Sequence, residues 1–472
     1  MTTTSQKDDL CFLPATAMAA AIRSKKLSPV EITEAVLERI EALNPELNAY
    51  CTVCGDSARA EAARAEEAVM RGEQLGPLHG VPYSIKDLIA TKGVKTMRGS
   101  RIYRDFVPDE DAVLVERLRE AGGIFLGKTT TPEMGWKGVT DSPLTGITRN
   151  PWNPELTPGG SSGGASAQVA AGMGPLAVGT DGGGSIRIPS AFAGIFGIKP
   201  SYGRVPVYPP SQHDMLSHAG PMTRTVGDAA LMLAAMAGPH HADRFSLEAA
   251  PADYPARLGR GIAGLRVAWS PDLGYAKVEP EVARIVADAA NSFADLGCRL
   301  EEVDPGFGDP TGIFEVYWPA SSAGALADYL PEWESKMDPG LVELVKKGSA
   351  ISAPEFVNAQ IERHAFYDKV RRFFERYDLL LTPALAVLPF AAGHTVPPGD
   401  ERTERNWTNW TPFSYPFNLT GSPAATVPAG WSAGGLPVGL QIVGRRFADL
   451  TVLQAAAAFE AARPWAGRRP PL

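Results

Sequence analysis

The stretch from Pro158 to Pro189, PGGSSGGASAQVAAGMGPLAVGTDGGGSIRIP, decides how the rest of the chain is read. Gly159 and Gly160 lead into Ser161, Ser162, Gly163 and Gly164, and a second run, Gly182, Gly183 and Gly184, delivers Ser185. The Ala, Gln and Val residues between the clusters suit a helix of small side chains that packs very close to its neighbours, and the apolar LAV at 176–178 follows it. Glycine tolerates backbone angles that other residues avoid and lets a ligand approach the main chain. Successive N–H groups of Gly183, Gly184 and Ser185 are therefore expected to converge on one oxygen, a concavity of the kind that binds anions. A serine ending such a run is a candidate nucleophile with its oxyanion hole supplied by its own backbone. One glycine-rich loop is explained equally well by turn chemistry; two in a single stretch favour a site.

Working outward, the pattern alternates helix and strand, as in α/β proteins. Ser28, Pro29 and Glu31 open a helix through about Leu43 with a capping box. An alanine-rich helix follows from about Ser57 to Arg71, and GPLHGVPYSIKDLIATKGV reads as turn, strand, turn with Lys86 inside an apolar segment. DAVLVERLREA at 111–121 is helical and GGIFLGKT turns into a strand. Helices are expected near 226–237 and 279–296, strands near 265–269 and 377–382, and mostly helix from 311 to 376. AATVP and LPVGLQIVG read as late strands before a last helix, DLTVLQAAAAFEAA, and the proline-rich 384–398 reads as a surface loop. With no repeat or low-complexity linker, one domain over 1–472 is expected. Its parts are N-terminal helices (1–72), a core holding the glycine and serine clusters (73–240), a helical insertion (about 311–376) and returning strands with a final helix (377–472).

A chain of 472 residues with 44% hydrophobic and 21% charged residues buries a large core. The net charge of −8 offers no electrostatic footprint for nucleic acid or an anionic membrane surface. The N-terminus lacks a basic region followed by an apolar core, and no stretch is apolar enough to span a bilayer, so a soluble cytoplasmic protein is expected. The four cysteines are too few for a disulfide scaffold, and Cys51 and Cys54, a CxxC without a second pair, read as buried thiols. No metal and no organic cofactor is expected.

Three motifs match by letters and fail by context. GGIFLGKT at 122–129 fits the phosphate-loop pattern, yet a helix precedes it and a proline-bearing TTTPEM follows. GRGIAG at 259–264 fits GxGxxG but comes before a strand instead of after one. GGSSGG also fits GxSxG, but a nucleophile elbow needs a strand before the serine, and TRNPWNPELTP is a poor one. The seven histidines offer no obvious partner for a triad. A lysine in an apolar setting is the remaining candidate base, because desolvation favours its neutral form. Lys86 is the best placed, although a salt bridge with Asp87 accounts for it too.

These segments resemble the amidase signature family of serine hydrolases. The resemblance rests on VPYSIKD around Lys86, PGGSSGGASA at 158–167, GTDGGGSIRIPSAFAGIFGIKPSYGR at 179–204, GPMTRTVGDAA at 220–230 and the late GLPVGLQIVG. It implies an α/β fold with a large mixed twisted sheet covered by helices on both faces. It also implies that Ser185 is the nucleophile, that Ser161 is a bridging serine on a cis peptide bond and that Lys86 is the general base. The N–H groups of Gly182, Gly183, Gly184 and Ser185 would hold the oxyanion, with Ser162, Thr180, Asp181 and Arg187 in support.

Within that family two readings compete, a free-standing amide hydrolase and the glutaminase subunit of a tRNA-dependent amidotransferase. Proteins of the second kind carry an arginine-bearing SSNLxRxDGxRYG-like block where this chain has SSAGALADYLPEWESKMDPG, and an aspartate where it has Thr411. In place of such charges the expected pocket offers Tyr83, Met134, Trp136, Phe192, Ile195, Tyr208, Trp318 and Trp410, a lining for an apolar or aryl group. The expectation is a hydrolase of aryl or other hydrophobic amides, with carbamates or esters sharing its tetrahedral intermediate. Its partner is a small-molecule amide, anilide or carbamate, and the chain acts as monomer or homodimer. A catalytically inactive binding homologue is disfavoured by the presence of all three of Lys86, Ser161 and Ser185.

Overall fold

The segment PYSIK forms a strand, β2 (Pro82–Lys86), buried at every position because parallel neighbours and helices cover both of its faces. The computed structural model describes residues 9–213, 215–399 and 406–472, so residues 1–8 of the N-terminal segment lie outside the described residues. The other strands of the main sheet are β1 (Tyr50–Val53), β3 (Ile124–Thr129), β4 (Leu176–Asp181), β5 (Phe196–Lys199), β6 (His218–Thr223), β7 (Arg266–Trp269), β8 (Arg299–Glu302), β9 (Leu379–Pro383), β10 (Ala424–Trp431) and β11 (Pro437–Gly444). They form one eleven-stranded mixed sheet in the order β1-β3-β2-β4-β6-β5-β10-β11-β9-β7-β8.

The period-two alternation of each strand divides the core into two layers. Leu379 and Leu381 of β9 join one apolar cluster with Val267, Trp269, Ala425 and Ile442, while Leu380, Ala268, Ala424 and Val443 join the other. The helices Ala15–Arg23, Pro29–Leu47, Val226–Met236, Pro280–Asp295 and Asp449–Ala462 cover the first layer. Arg187–Ala193, Thr311–Leu326, Pro339–Ser349 and Ala353–Arg376 cover the second, so the stretch read as helical from 311 to 376 forms much of one face. Between them the small-residue helix Gly163–Ala170 is buried along its whole length. A Cβ on Gly164 would lie 2.4 Å from the backbone of Ala49 and Thr130, so the close approach demands glycine there.

The capping box at Ser28 forms: its hydroxyl accepts from the N–H of Val30 and Glu31, and Glu31 accepts from the N–H of Ser28. That helix runs past Leu43 to Leu47, through Pro45, because the fully buried Leu47 gains core contacts that outweigh a missing backbone donor. The alanine-rich helix begins at Gly55, slightly before Ser57. Strands β1, β5, β7 and β8 have four residues each, too short for an alternating pattern to show, and β6 carries Gly220 and Pro221. The 384–398 stretch is irregular but only partly a surface loop. Ala384, Leu385, Ala386 and Phe390 are buried in the second layer, since the stretch opens on an unbroken apolar run, ALAVL at 384–388, ahead of its first proline. Cys51 and Cys54 are free and half-buried. Among the described residues no helix is long and apolar enough to cross a membrane, and no cluster of His, Cys, Asp or Glu could hold a metal ion.

Candidate active site

Three neighbouring pieces of the sheet meet at one cavity. β2 ends on Lys86, the turn before Gly163–Ala170 presents Ser161, and the loop leaving β4 presents Ser185. The Gly160–Ser161 peptide is cis. Lys86 Nζ, wholly buried, lies 2.7 Å from Ser161 Oγ and 2.9 Å from Thr180 Oγ1. Burial pushes the Lys86 pKa well below the usual lysine value of 10.5, against a weaker opposing pull from Asp181. Asp87 makes no ion pair with Lys86: its carboxylate accepts from the Met97 N–H and faces the charge of Lys128. Ser161 and Ser185 both line the cavity, at 2% and 6% exposure, and among the described residues Ser185 Oγ has no hydrogen-bond partner within the chain.

The loop from Gly182 to Ser185 is held from behind by Asp181 and Arg187, both without solvent exposure. Arg187 uses all five of its donors. Nε and Nη2 reach the two Asp181 oxygens at 3.0 and 2.9 Å, Nη1 reaches Ser414 O and Gln441 Oε1 at 2.8 Å each, and Nη2 reaches Asn418 Oδ1 at 2.7 Å. Asp181 also accepts from the N–H groups of Gly184 and Ile186 and from Asn418. Burial alone would raise the Asp181 pKa, but Arg187, Lys199 and Asn418 together hold it well below the usual carboxylate range. Ser162 ties the two loops together, its N–H donating to Ser185 O at 3.2 Å and its hydroxyl to Thr180 O at 3.2 Å.

The expected set of oxyanion donors needs correction at one position. The Gly184 N–H points inward to Asp181 Oδ1 at 2.8 Å, so it is not free for an oxyanion. Among the described residues the N–H groups of Gly182, Gly183 and Ser185 have no acceptor within the chain, and Gly182 and Ser185 border the cavity. Gly182 also makes room for the pocket wall: a Cβ there would meet the Trp318 ring at 2.9 Å.

The cavity has a volume of about 150 Å³, about the size that admits a benzene-sized group. Met134, Tyr208 and Trp318 line it as expected; Tyr83, Trp136, Phe192, Ile195 and Trp410 do not. Tyr83 is three residues before Lys86 on a strand, so it faces the opposite side and packs on Phe125 with ring centroids 5.7 Å apart. Phe192 and Trp410 stack on each other at 5.7 Å and 6° in the second core layer. Ile195 packs with Ala165, Val169 and Met222. Trp136 lies behind Trp318, offering its carbonyl to the Trp318 indole N–H at 3.0 Å. The lining residues not foreseen include Leu88, Arg98, Gln212 and His213, together with prolines 206, 209 and 210. The Tyr208–Pro209 bond is cis. His213 stacks flat on Trp318, centroids 3.7 Å apart, and burial lowers its pKa to about 3, so it stays neutral. The sequence signal for this wall is the dense VPVYPPSQH at 205–213, proline and aromatic residues next to a histidine.

An α/β sheet that brings a desolvated lysine and two serines to a cavity rimmed by glycine N–H groups defines a class of hydrolase-like sites. Comparison with known proteins agrees: a family model described as Amidase matches residues 31–453, and the chain belongs to the amidase signature family. It is 43% identical to an acylamidase of Rhodococcus erythropolis over 98% of both chains. It is 37% identical to one component of the glutamyl-tRNA(Gln) amidotransferase of Moorella thermoacetica, over 98% of this chain and 99% of that one. The crystal structure of a bacterial aryl acylamidase of the same family superposes with a TM-score of 0.90, at 33% identity and 97% coverage of both chains. The chain is accordingly an amidase, a hydrolase of non-peptide C–N bonds.

Proposed function

We propose that the chain hydrolyses amides of aryl or other apolar substituents through an acyl-enzyme on Ser185, with Ser161 and Lys86 as its proton relay. The observation that carries this reading is the 2.7 Å contact between Ser161 Oγ and a fully buried Lys86 Nζ that, among the described residues, no carboxylate neutralises by direct contact. As a neutral amine Lys86 donates to Thr180 and accepts from the Ser161 hydroxyl. Ser185 Oγ attacks the amide carbon while its proton passes to Ser161 Oγ and the Ser161 proton passes to Lys86 Nζ. The carbonyl oxygen becomes an oxyanion facing the N–H groups of Gly182, Gly183 and Ser185. Collapse breaks the C–N bond, and the proton returns from Lys86 through Ser161 to the departing amine. Water then attacks the acyl-enzyme by the same relay, releasing the acid and restoring the Ser185 hydroxyl. An aryl carbamate would follow the same course to a carbamoyl-enzyme.

The aryl or apolar preference draws on the Met134, Tyr208 and Trp318 lining and on the acylamidase relatives. The test is amine release by the purified chain from an anilide, an aryl carbamate and glutamine, each repeated with Ser185→Ala. Release from the anilide that vanishes in the variant supports the reading. Ammonia from glutamine alone, or activity only with added partner proteins, would replace it with the amidotransferase reading.

A further inference from the structure

Among the described residues the cavity is lined by one side chain of permanent charge, Arg98, and by no aspartate or glutamate. The other basic groups at the site, Lys86, His213 and His218, are all driven toward neutrality by burial. Arg98 is half-buried, its Nε is shielded from solvent without a hydrogen-bond partner, and among the described residues its guanidinium has no ion pair. It lies over the rings of Tyr103 and Phe106, at 4.5 and 5.5 Å, which hold its plane without neutralising it. The backbone position is set from both sides of the site: the Arg98 N–H donates to Asp87 O at 3.0 Å, next to Lys86, and its carbonyl accepts from the Met134 N–H at 2.8 Å. Arg101, in the same segment, donates to Pro143 O. A shielded Nε–H without an acceptor is unfavourable, so a cavity wall that keeps one is suited to an acceptor that arrives from outside.

We infer that Arg98 is a specificity-determining residue that binds a carboxylate on the substrate, so that preferred amides carry an anionic group on the apolar body, away from the bond that is cut. The inference rests on the Ser185 reading for which bond is cut. A planar guanidinium takes a carboxylate through two parallel N–H···O bonds, which fixes orientation as well as charge. With no acid among the described residues of the cavity wall to compete, the substrate supplies the counter-charge.

The test compares para-acetamidobenzoate with its neutral counterpart para-methylacetanilide in the wild type, Arg98→Gln and Arg98→Lys. The wild type is expected to favour the carboxylate in kcat/KM by about tenfold to a hundredfold, the range for hydrogen bonds to a charged group. Arg98→Gln should bring that ratio to near one through KM, Arg98→Lys should keep part of it, and salt should weaken it. No preference in the wild type, or a ratio unchanged in Arg98→Gln, would overturn the inference. Calorimetry on the wild type needs neither a folded variant nor turnover: para-methylbenzoate should bind more tightly than para-methylbenzyl alcohol, and equal affinity would refute the role of Arg98. Cleavage of the neutral anilide that depends on Ser185 would leave the Ser185 reading standing in that case.

Discussion

Replacing Arg187 by Met should be among the most damaging single changes outside the reacting groups. The guanidinium is buried and donates five hydrogen bonds, two of them to Asp181. Methionine roughly fills the volume but leaves a buried carboxylate without its cation and strips donors from Ser414, Gln441 and Asn418. Removing one partner of a buried ion pair costs about 3–5 kcal/mol. The loss has a pH signature. In the wild type the Asp181 pKa is depressed, so its contribution is complete above the unfolded value of 3.8 and is lost only as pH falls through the lower folded pKa. In Arg187→Met the unpaired, buried Asp181 has a raised pKa instead, so the variant loses stability as pH climbs from 3.8 through that value. Urea unfolding followed by tryptophan fluorescence should therefore show a larger penalty at about pH 8 than at about pH 5. Adding Asp181→Asn should recover part of it by removing the stranded charge. A penalty under about 1 kcal/mol, the scale of an exposed pair, or no recovery in the double variant, would refute the brace.

Lys86→Met should lower kcat/KM by about 10²–10⁴-fold, the usual worth of a positioned base. In the wild type, activity should rise with pH as Lys86 loses its proton and level off well below 10.5, because burial lowers that pKa; a rise centred near 10.5 would contradict a desolvated base. Gly184→Ala should destabilise the loop by about 1–3 kcal/mol, because its φ is +128° and a Cβ would sit 2.5 Å from Ser414 Oγ. Differential scanning and anilide turnover, read together, should show both properties falling, and a variant with wild-type values in both would argue against tight packing there.

Much of the fold is legible in the sequence because long amphipathic helices carry clear periods, because the short, mostly apolar runs of β9 and β11 read as buried strands, and because capping residues such as Ser28 act locally. Ser161, Ser185 and Lys86 are legible too, the serines through glycine runs and the lysine as a polar residue in an apolar strand. What fails is whatever depends on which way a side chain points. Nearness to Lys86 in sequence assigns Tyr83 to the pocket, although a separation of three residues on a strand puts it on the other face. Gly184 counts as an oxyanion donor by its place in the run, while its N–H turns inward to a carboxylate three residues earlier. Arg98 enters the cavity from a loop far from the serine clusters in sequence, and no local pattern marks it as part of the wall, whereas His213 sits at the end of the proline-dense VPVYPPSQH, a signal that singles out the segment without saying which of its side chains face the cavity.

The central claim is that Ser185 carries the acyl group, and the direct test is to trap it. Acid quenching during turnover of a slowly hydrolysed acetanilide, followed by digestion and mass spectrometry, should find the acetyl group on the peptide containing Ser185 and nowhere else. Acetyl on Ser161 or another residue, or turnover by Ser185→Ala at the wild-type rate, would contradict the account.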